Sequence, residues 1–201
     1  MEIHQPFTTP IHVSKLNNNE LNQELLLFIL DKQKNAKGRE ISNQGGFQSD
    51  IYDIKDNILF EKFINTTLNS IHTLIQNYAL SYDYDIVING IWFNVNPTNS
   101  YNLTHTHSGC NFSAAYYINT PKDSGRIVFE NPSIGQQTDS FYQNKFREFN
   151  NINQGKYYIE PKENILILFP SWLPHYVEQN KSNEDRVGLS FNFSIKVGEK
   201  K

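Results

Sequence analysis

The sequence predicts a mainly β protein, a sandwich or jelly roll with helices packed on it, and three observations carry that prediction. Apolar residues recur at helical spacing up to about residue 85 and at strand spacing beyond it. From there on, short β-branched and aromatic runs alternate with turn signals as far as Ile195. Each helical segment carries a single apolar stripe and must bury it against something, which a β layer supplies.

Leu21, Leu25, Phe28 and Ile29 recur at three- and four-residue intervals after Asn17-Asn-Asn19, which predicts a capped helix to about Lys34 with Gly38 at its end. Phe60, Ile64, Leu68, Ile71, Ile75 and Tyr78 form one stripe and predict a second helix over Ile58–Tyr78. Between them, Ser42-Asn-Gln-Gly-Gly-Phe-Gln-Ser49 is too polar and glycine-rich for a regular element and reads as a loop held to the core by Phe47, with Gly45-Gly46 as an ordinary turn. Strands are expected over Ile86–Val95, Leu103–His107, Phe112–Ile118, Arg126–Glu130, Lys156–Ile159, Asn164–Phe169, Tyr176–Glu178 and Arg186–Ile195. Asn131 to Gly155 is longer than the ~12–15 residues usual for a structureless loop, so it reads as a lid or binding loop.

Composition narrows the function classes. The 201 residues suit one domain, with helical support over about 15–80 and a β core over about 85–197. Lys and Arg number 18 against 21 Asp and Glu, a net charge of −3, so no electrostatic footprint for nucleic acid exists. No apolar run approaches the ~20 residues of a membrane span. The first ten residues lack the basic and apolar regions of a secretory signal, so a cytoplasmic location is expected, with no nucleic-acid or membrane partner. A homodimer is left open. Cys110 is the one cysteine, which rules out an intrachain disulfide or a thiolate cluster and leaves His and oxygen atoms as metal ligands.

Three histidines suggest such a site. His105 and His107 are two apart, so on a strand they project to one face. His175 follows an apolar strand and two prolines that fix its approach. Three neutral imidazoles suit Fe, Zn, Cu or Ni. The bland reading, half-exposed strand histidines, is weakened by Arg186. If residues 175–186 form a hairpin turning between Asn180 and Lys181, His175 and Arg186 face one another about 4.5–5.5 Å apart. A guanidinium inside a barrel is costly unless an anion pairs with it, and its fork matches a carboxylate. A ligand with a chelating end and a carboxylate end is thereby expected, and 2-oxoglutarate has both. Trp92, Asn94 and Asn96 alternate on one strand face, where they either line the cavity or divide between core and solvent. Ser190 and Asn192 share the face of Arg186. Tyr116 and Phe112 read as core, and Trp172 as packed beside the Pro170 and Pro174 turns.

These residues, with Asn43-Gln-Gly-Gly-Phe-Gln-Ser49, Trp92-Phe-Asn-Val-Asn96, Ser113-Ala-Ala-Tyr-Tyr-Ile-Asn119, Ile127-Val-Phe-Glu-Asn-Pro132, Phe169-Pro-Ser-Trp-Leu-Pro-His175 and Arg186-Val-Gly-Leu-Ser-Phe-Asn192, resemble the 2-oxoglutarate- and Fe(II)-dependent oxygenases. The likeness is to a group of small members related to prolyl-hydroxylase-like enzymes. It implies a double-stranded β-helix core, jelly-roll and cupin-like, with N-terminal helices against one sheet. It implies Fe(II) on His105 and His175, and the distal carboxylate of 2-oxoglutarate on Arg186 with Tyr117 as a hydroxyl donor. Asn94 and Ser190 are further candidates for cosubstrate contact. The chain departs from the family at the third ligand, usually Asp or Glu, where it has His107; an all-histidine set leaves the site one negative charge poorer. A competing register through Gly109 leaves one position without a side-chain ligand, as in halogenases, and Asp123 or Glu130 are alternative carboxylates.

The expected function is a dioxygenase that converts 2-oxoglutarate to succinate and CO2 while hydroxylating a small-molecule or protein substrate. Two alternatives are a three-histidine cupin-like dioxygenase without 2-oxoglutarate and a non-catalytic metal-binding barrel.

Overall fold

The computed structural model describes residues 2, 4, 7–80, 83–133, 146–150 and 152–198. Its elements are β1 (His12–Lys15), α1 (Asn19–Asn35), β2 (Asn43–Gln44), β3 (Phe47–Gln48), a 3-10 turn (Ile54–Asp56), α2 (Ile58–Asn77), β4 (Tyr84–Asn96), β5 (Tyr101–His105), β6 (Phe112–Asn119), β7 (Ile127–Glu130), β8 (Lys156–Ile159), β9 (Ile165–Pro170), β10 (His175–Val177) and β11 (Arg186–Val197). The predicted helices and eight strands are all present, with ends moved by at most two residues. The strand prolines and glycines fall at ends or bulges, where a missing donor or side chain costs least.

All pairings are antiparallel. A six-stranded sheet runs β1-β9-β6-β11-β4-β3 and a five-stranded sheet runs β2-β5-β10-β7-β8. Both helices pack on the outer face of the larger sheet. Their caps are local: Asn18 accepts from the Leu21 amide at 3.1 Å and Asn57 from the Leu59 amide at 2.8 Å, each satisfying a donor that the first turn leaves free. Leu25, Ile29, Phe60, Phe63 and Ile71 meet Phe93, Phe191 and Phe193 there, all with 1 % or less of their surface exposed. Each such side chain contributes about 1.5–3 kcal/mol of burial. Strand alternation sends the intervening residues to the other face, where Tyr117, Ile167 and Phe169 pack on Ile127, Phe129 and Leu173 and hold the two sheets together.

Three expectations are corrected. The segment read as a loop over 42–49 contains β2 and β3, one pairing into each sheet: Asn43 with Asn102 and Gln48 with Asn94. Phe47 does tie it down, stacking on Phe93 at 6.0 Å. His175 and Arg186 do not form a hairpin. His175 pairs with His105 and Phe129 in the smaller sheet, while Arg186 pairs with Asn96 in the larger. The connection crosses between sheets because Asn180, fully buried, donates its side-chain amide to the Asn96 and Glu184 carbonyls at 2.8 Å each, fastening the chain to the turn that follows β4. Trp172 does not pack away beside the prolines but is 55 % exposed. Of the long loop expected over 131–155, residues 134–145 and 151 lie outside the described residues. No helix among those described is long and apolar enough to cross a membrane.

One polar network sits inside the helix–sheet core. The Tyr116 hydroxyl donates to Asn22 Oδ1 at 2.6 Å, Asn22 Nδ2 donates to Asn164 Oδ1 at 3.0 Å, and Asn164 Nδ2 donates to Asn19 Oδ1 at 3.0 Å. It ties α1 to β6 and to the residue before β9. Tyr116→Phe strips the hydroxyl from a buried acceptor and is expected to cost about 1–2 kcal/mol of unfolding free energy, read from urea denaturation with an unchanged slope. An unmoved midpoint would mean that the network orders the interface without stabilising it.

Candidate metal centre

The space between the sheets that apolar packing leaves open is a cavity of about 230 Å³. Its floor is set by register. In β4 the alternation that buries Ile91, Phe93 and Val95 under the helices turns Trp92, Asn94 and Asn96 inward, and in β11 it turns Arg186, Ser190 and Asn192 inward. Of the two readings open for Trp92, Asn94 and Asn96, the cavity reading holds. Ser42, just before β2, and Gln48 from β3 close one wall.

His105, His107 and His175 converge on this cavity. Their ligand-capable atoms lie within 4.8 Å of one another, near enough for side-chain rotation to bring them onto one ion. His105 and His175 are directly opposite across the β5–β10 ladder, with ring centroids 4.3 Å apart. His107 is not on the strand with His105, as its spacing predicted, but two residues beyond the end of β5. Its ring still comes within 5.0 Å of His105 and 5.2 Å of His175, because its backbone amide donates to the Ser171 carbonyl at 2.9 Å.

The donor chemistry fits a divalent metal. His105 Nδ1 lies 2.7 Å from the Leu103 carbonyl and His175 Nδ1 lies 2.9 Å from the Leu173 carbonyl. A carbonyl only accepts, so each Nδ1 carries the proton and each Nε2 keeps its lone pair, the tautomer a metal requires. Burial keeps the rings neutral. It pulls His105 below its ordinary value and, with repulsion from His105, takes His107 to about 4 and His175 to about 3. Phe169, with its ring centroid 4.7 Å from that of His175, and Trp92, 5.6 Å from His107, supply apolar surroundings. The alternative carboxylates are elsewhere: Asp123 and Glu130 line a groove on the outside of the smaller sheet, where Glu130 pairs with Lys156 at 3.3 Å. Gly109 takes φ +78 and faces open space.

Arg186 shares the cavity from the other sheet. It is 3 % exposed, and its Nη1 donates to the Ser124 carbonyl, with the Gly125 and Glu178 carbonyls each 3.4 Å away. Among the described residues no carboxylate pairs with it. Burial draws its pKa below the ordinary value, opposed by Tyr117, whose own hydroxyl burial pushes up to about 12. Tyr117 is buried and lies opposite Gly188, the next inward position of β11. Asn94 Oδ1 and Asn96 Nδ2 are buried with no partner. The site thus presents a buried cation and unfilled polar atoms beside three metal-competent nitrogens, which is the arrangement that an anionic chelator would complete. Sequence reasoning placed the 42–49 segment in the wall, where Ser42 and Gln48 stand, but did not find the three carbonyls that hold Arg186, because a backbone atom has no residue-type signature, nor Asn102, which composition marks only as polar.

The depressed histidines set a pH dependence. An unfolded imidazole binds a proton near 6.5, whereas His107 and His175 do so near 4 and 3. Between those values the unfolded chain holds more protons, so stability of the metal-free protein is full above about 6.5 and falls as the pH drops toward 4. Melting temperatures from about pH 7.5 to about pH 4.5 are expected to decline, and less steeply for His107→Asn. An equal decline in the variant would put the proton uptake elsewhere.

A family model described as "Putative 2OG-Fe(II) oxygenase" matches residues 90–192, which span every inward residue of β4, β6 and β11 named above. No curated protein matches in sequence. Among solved structures, a prolyl-4-hydroxylase from Pseudomonas putida superposes with a TM-score of 0.64 at 15 % identity, covering 93 % of each chain. A prolyl hydroxylase from Trichoplax adhaerens, solved with a hypoxia inducible factor peptide fragment, gives 0.65 at 14 % identity over 93 % of this chain and 84 % of that one. The epimerase SnoN from nogalamycin biosynthesis, solved with Fe3+, alpha ketoglutarate and nogalamycin RO, gives 0.66 at 10 % identity over 95 % and 82 %. At such identities the likeness is one of fold, a double-stranded β-helix. With the family match covering half of the chain and the three-histidine cluster lying within the matched residues, this protein belongs to the 2OG-Fe(II) oxygenases, oxidoreductases that use Fe(II) and 2-oxoglutarate.

Proposed function

We propose that the chain is a dioxygenase that converts 2-oxoglutarate and O2 to succinate and CO2 while hydroxylating an organic substrate, with His105, His107 and His175 holding Fe(II). The observation that carries this reading is Arg186: a buried guanidinium with carbonyls on one edge and, among the described residues, no carboxylate partner, in the same cavity as the three histidines. Fe(II), when bound with 2-oxoglutarate, supplies the redox chemistry, in which one oxygen atom of O2 enters succinate and the other enters the substrate as a hydroxyl.

The chain's own residues bind, orient and exclude water. Neutral His105 and His175 offer Nε2 without first losing a proton near neutral pH, so metal capture there needs no base. Arg186 takes the distal carboxylate through the guanidinium edge that the carbonyls leave free, a charge-assisted pairing that also neutralises its buried charge. Tyr117, kept protonated by burial, adds an O–H donor on the adjoining strand. Ser190 and Asn94 flank it on the same sheet face. Trp92, Ile127 and Phe169 form the apolar lining that keeps bulk water away from the reacting end. In the three-histidine reading without 2-oxoglutarate, Arg186 would pair with a carboxylate of the organic substrate, and Arg186→Ala would leave 2-oxoglutarate binding unaltered.

Anaerobic titration of the Fe(II)-loaded protein with 2-oxoglutarate is expected to give the weak visible charge-transfer band of a bidentate chelate. Arg186→Ala should weaken cosubstrate affinity about tenfold to a hundredfold, as loss of two charge-assisted hydrogen bonds implies, with metal affinity retained. His107→Ala should instead weaken the metal. Iron binding with no band would sink the 2-oxoglutarate reading, and a band that Arg186→Ala leaves untouched would remove Arg186 from it.

A further inference from the structure

Arg186 works as a carboxylate clamp only if its fork is aimed, and we propose that Arg126 and Glu178 are the positioning residues that aim it from the outer surface. This rests on the reading of Arg186 given above. The guanidinium is steered by its three carbonyl contacts, from Ser124, Gly125 and Glu178, which fix Nη1 and leave the other edge for the ligand. Those carbonyls belong to two chain segments, the entry to β7 and the exit from β10. The β7–β10 ladder joins these two segments as far as Ile127 and Val177, and Arg126 with Glu178 extends the join by side chains beyond the end of that ladder, next to the three carbonyls.

The lock is unusually complete. Arg126 Nε and Nη2 donate to Glu178 Oε2 and Oε1 at 2.6 and 2.7 Å, a bidentate fork. The Arg126 amide donates to Glu178 Oε2 at 3.2 Å, and the Glu178 amide donates to the Arg126 carbonyl at 2.9 Å. Tyr158 on β8 stacks under the guanidinium at 4.1 Å and restricts its rotation. The closeness also explains Gly125: at φ +86, a Cβ there would run into the Glu178 carbonyl and come within 2.8 Å of the Gln179 carbonyl. With both partners about one-third exposed, an ion pair of this kind adds little to global stability. Its geometric effect is larger, since it sets the spacing of the carbonyls behind Arg186, and a displacement of about 1 Å at a binding group costs up to about a hundredfold in productive positioning. Arg126 and Glu178 touch neither the cavity nor its ligands, which separates them from the binding residues themselves.

The test compares two ligands on the Mn(II)-loaded protein by anaerobic calorimetry: 2-oxoglutarate, and 2-oxobutyrate, which keeps the chelating end and lacks the distal carboxylate. The ratio of their affinities reads the clamp alone. Arg126→Gln and Glu178→Gln are each expected to lower that ratio about tenfold, with 2-oxobutyrate affinity, metal affinity and melting temperature unchanged. The swapped pair, Arg126→Glu with Glu178→Arg, should recover part of it, and Arg186→Gln should abolish it. A ratio unmoved by either outer variant while Arg186→Gln removes it overturns the positioning role and leaves the clamp. A fall in affinity for both ligands together would make the pair merely structural, also against the proposal. A ratio unmoved by Arg186→Gln would instead overturn the clamp.

Discussion

Strict alternation along β11, under constraint from both neighbours, is what the rest of the molecule depends on. This strand pairs with β4 on one side and β6 on the other, at the centre of the larger sheet. Its odd positions Val187, Leu189, Phe191 and Phe193 are buried against the helices, and its even positions Arg186, Ser190 and Asn192 face the cavity. A slip of one residue would turn four large apolar side chains into the cavity and carry a guanidinium into the helix interface. The apolar face therefore enforces the placement of the polar one. Burial of Phe191 and Phe193, remote from any ligand, fixes where Arg186 stands.

The same division explains how a cavity with so much polarity survives inside a barrel. One end of the gap is closed by Ile127, Phe129, Ile167, Phe169 and Leu173, which bring the sheets together and exclude water. Three imidazoles and a guanidinium beside that plug are destabilising in the empty protein, because each loses hydration and Arg186 has only partial dipoles as partners. Strain of this sort is tolerated where the helix–sheet core supplies a surplus, and it is relieved when a cation and an anionic chelator enter. Binding and stability are thus opposite faces of one arrangement.

Much of this was legible in the sequence because it follows from period. Leu21 to Ile29 and Phe60 to Ile75 mark helices by their own spacing, and Trp92, Asn94 and Asn96 share one strand face by period, although period alone left open whether that face lines a cavity. His105, His175 and Arg186 could be chosen as a set from their order and the chemistry they share. What was not legible depends on atoms without residue-type signatures. The segment from Gln179 to Asp185 has the composition of a hairpin turn, yet it crosses between sheets because Asn180 bonds to carbonyls near residue 96, a contact no local pattern encodes. Two-residue strands such as β2 and β3 are too short to show a period at all. Trp172, large and flanked by prolines, carries every sign of a packed residue and is exposed nonetheless.

The metal-competent histidines divide along the same line. His105 and His175 each donate Nδ1–H to the carbonyl two residues earlier in their own chain, so ring orientation and tautomer are set by local backbone as soon as β5 and β10 pair. His107 has no such bond among the described residues. It lies past the end of β5, and its place depends on a backbone hydrogen bond to Ser171, in the turn after β9. Two of the metal-competent rings are therefore fixed by secondary structure and the third by tertiary contact. The third is also the position where the resemblance expects a carboxylate. Its ring packs against Trp92, His105 and His175, but its backbone is positioned off the ladder, so an imidazole, longer than an aspartate, is accommodated there without disturbing the strands that carry the other two. The departure from an acidic ligand is thus confined to the one site whose geometry the sheet does not dictate.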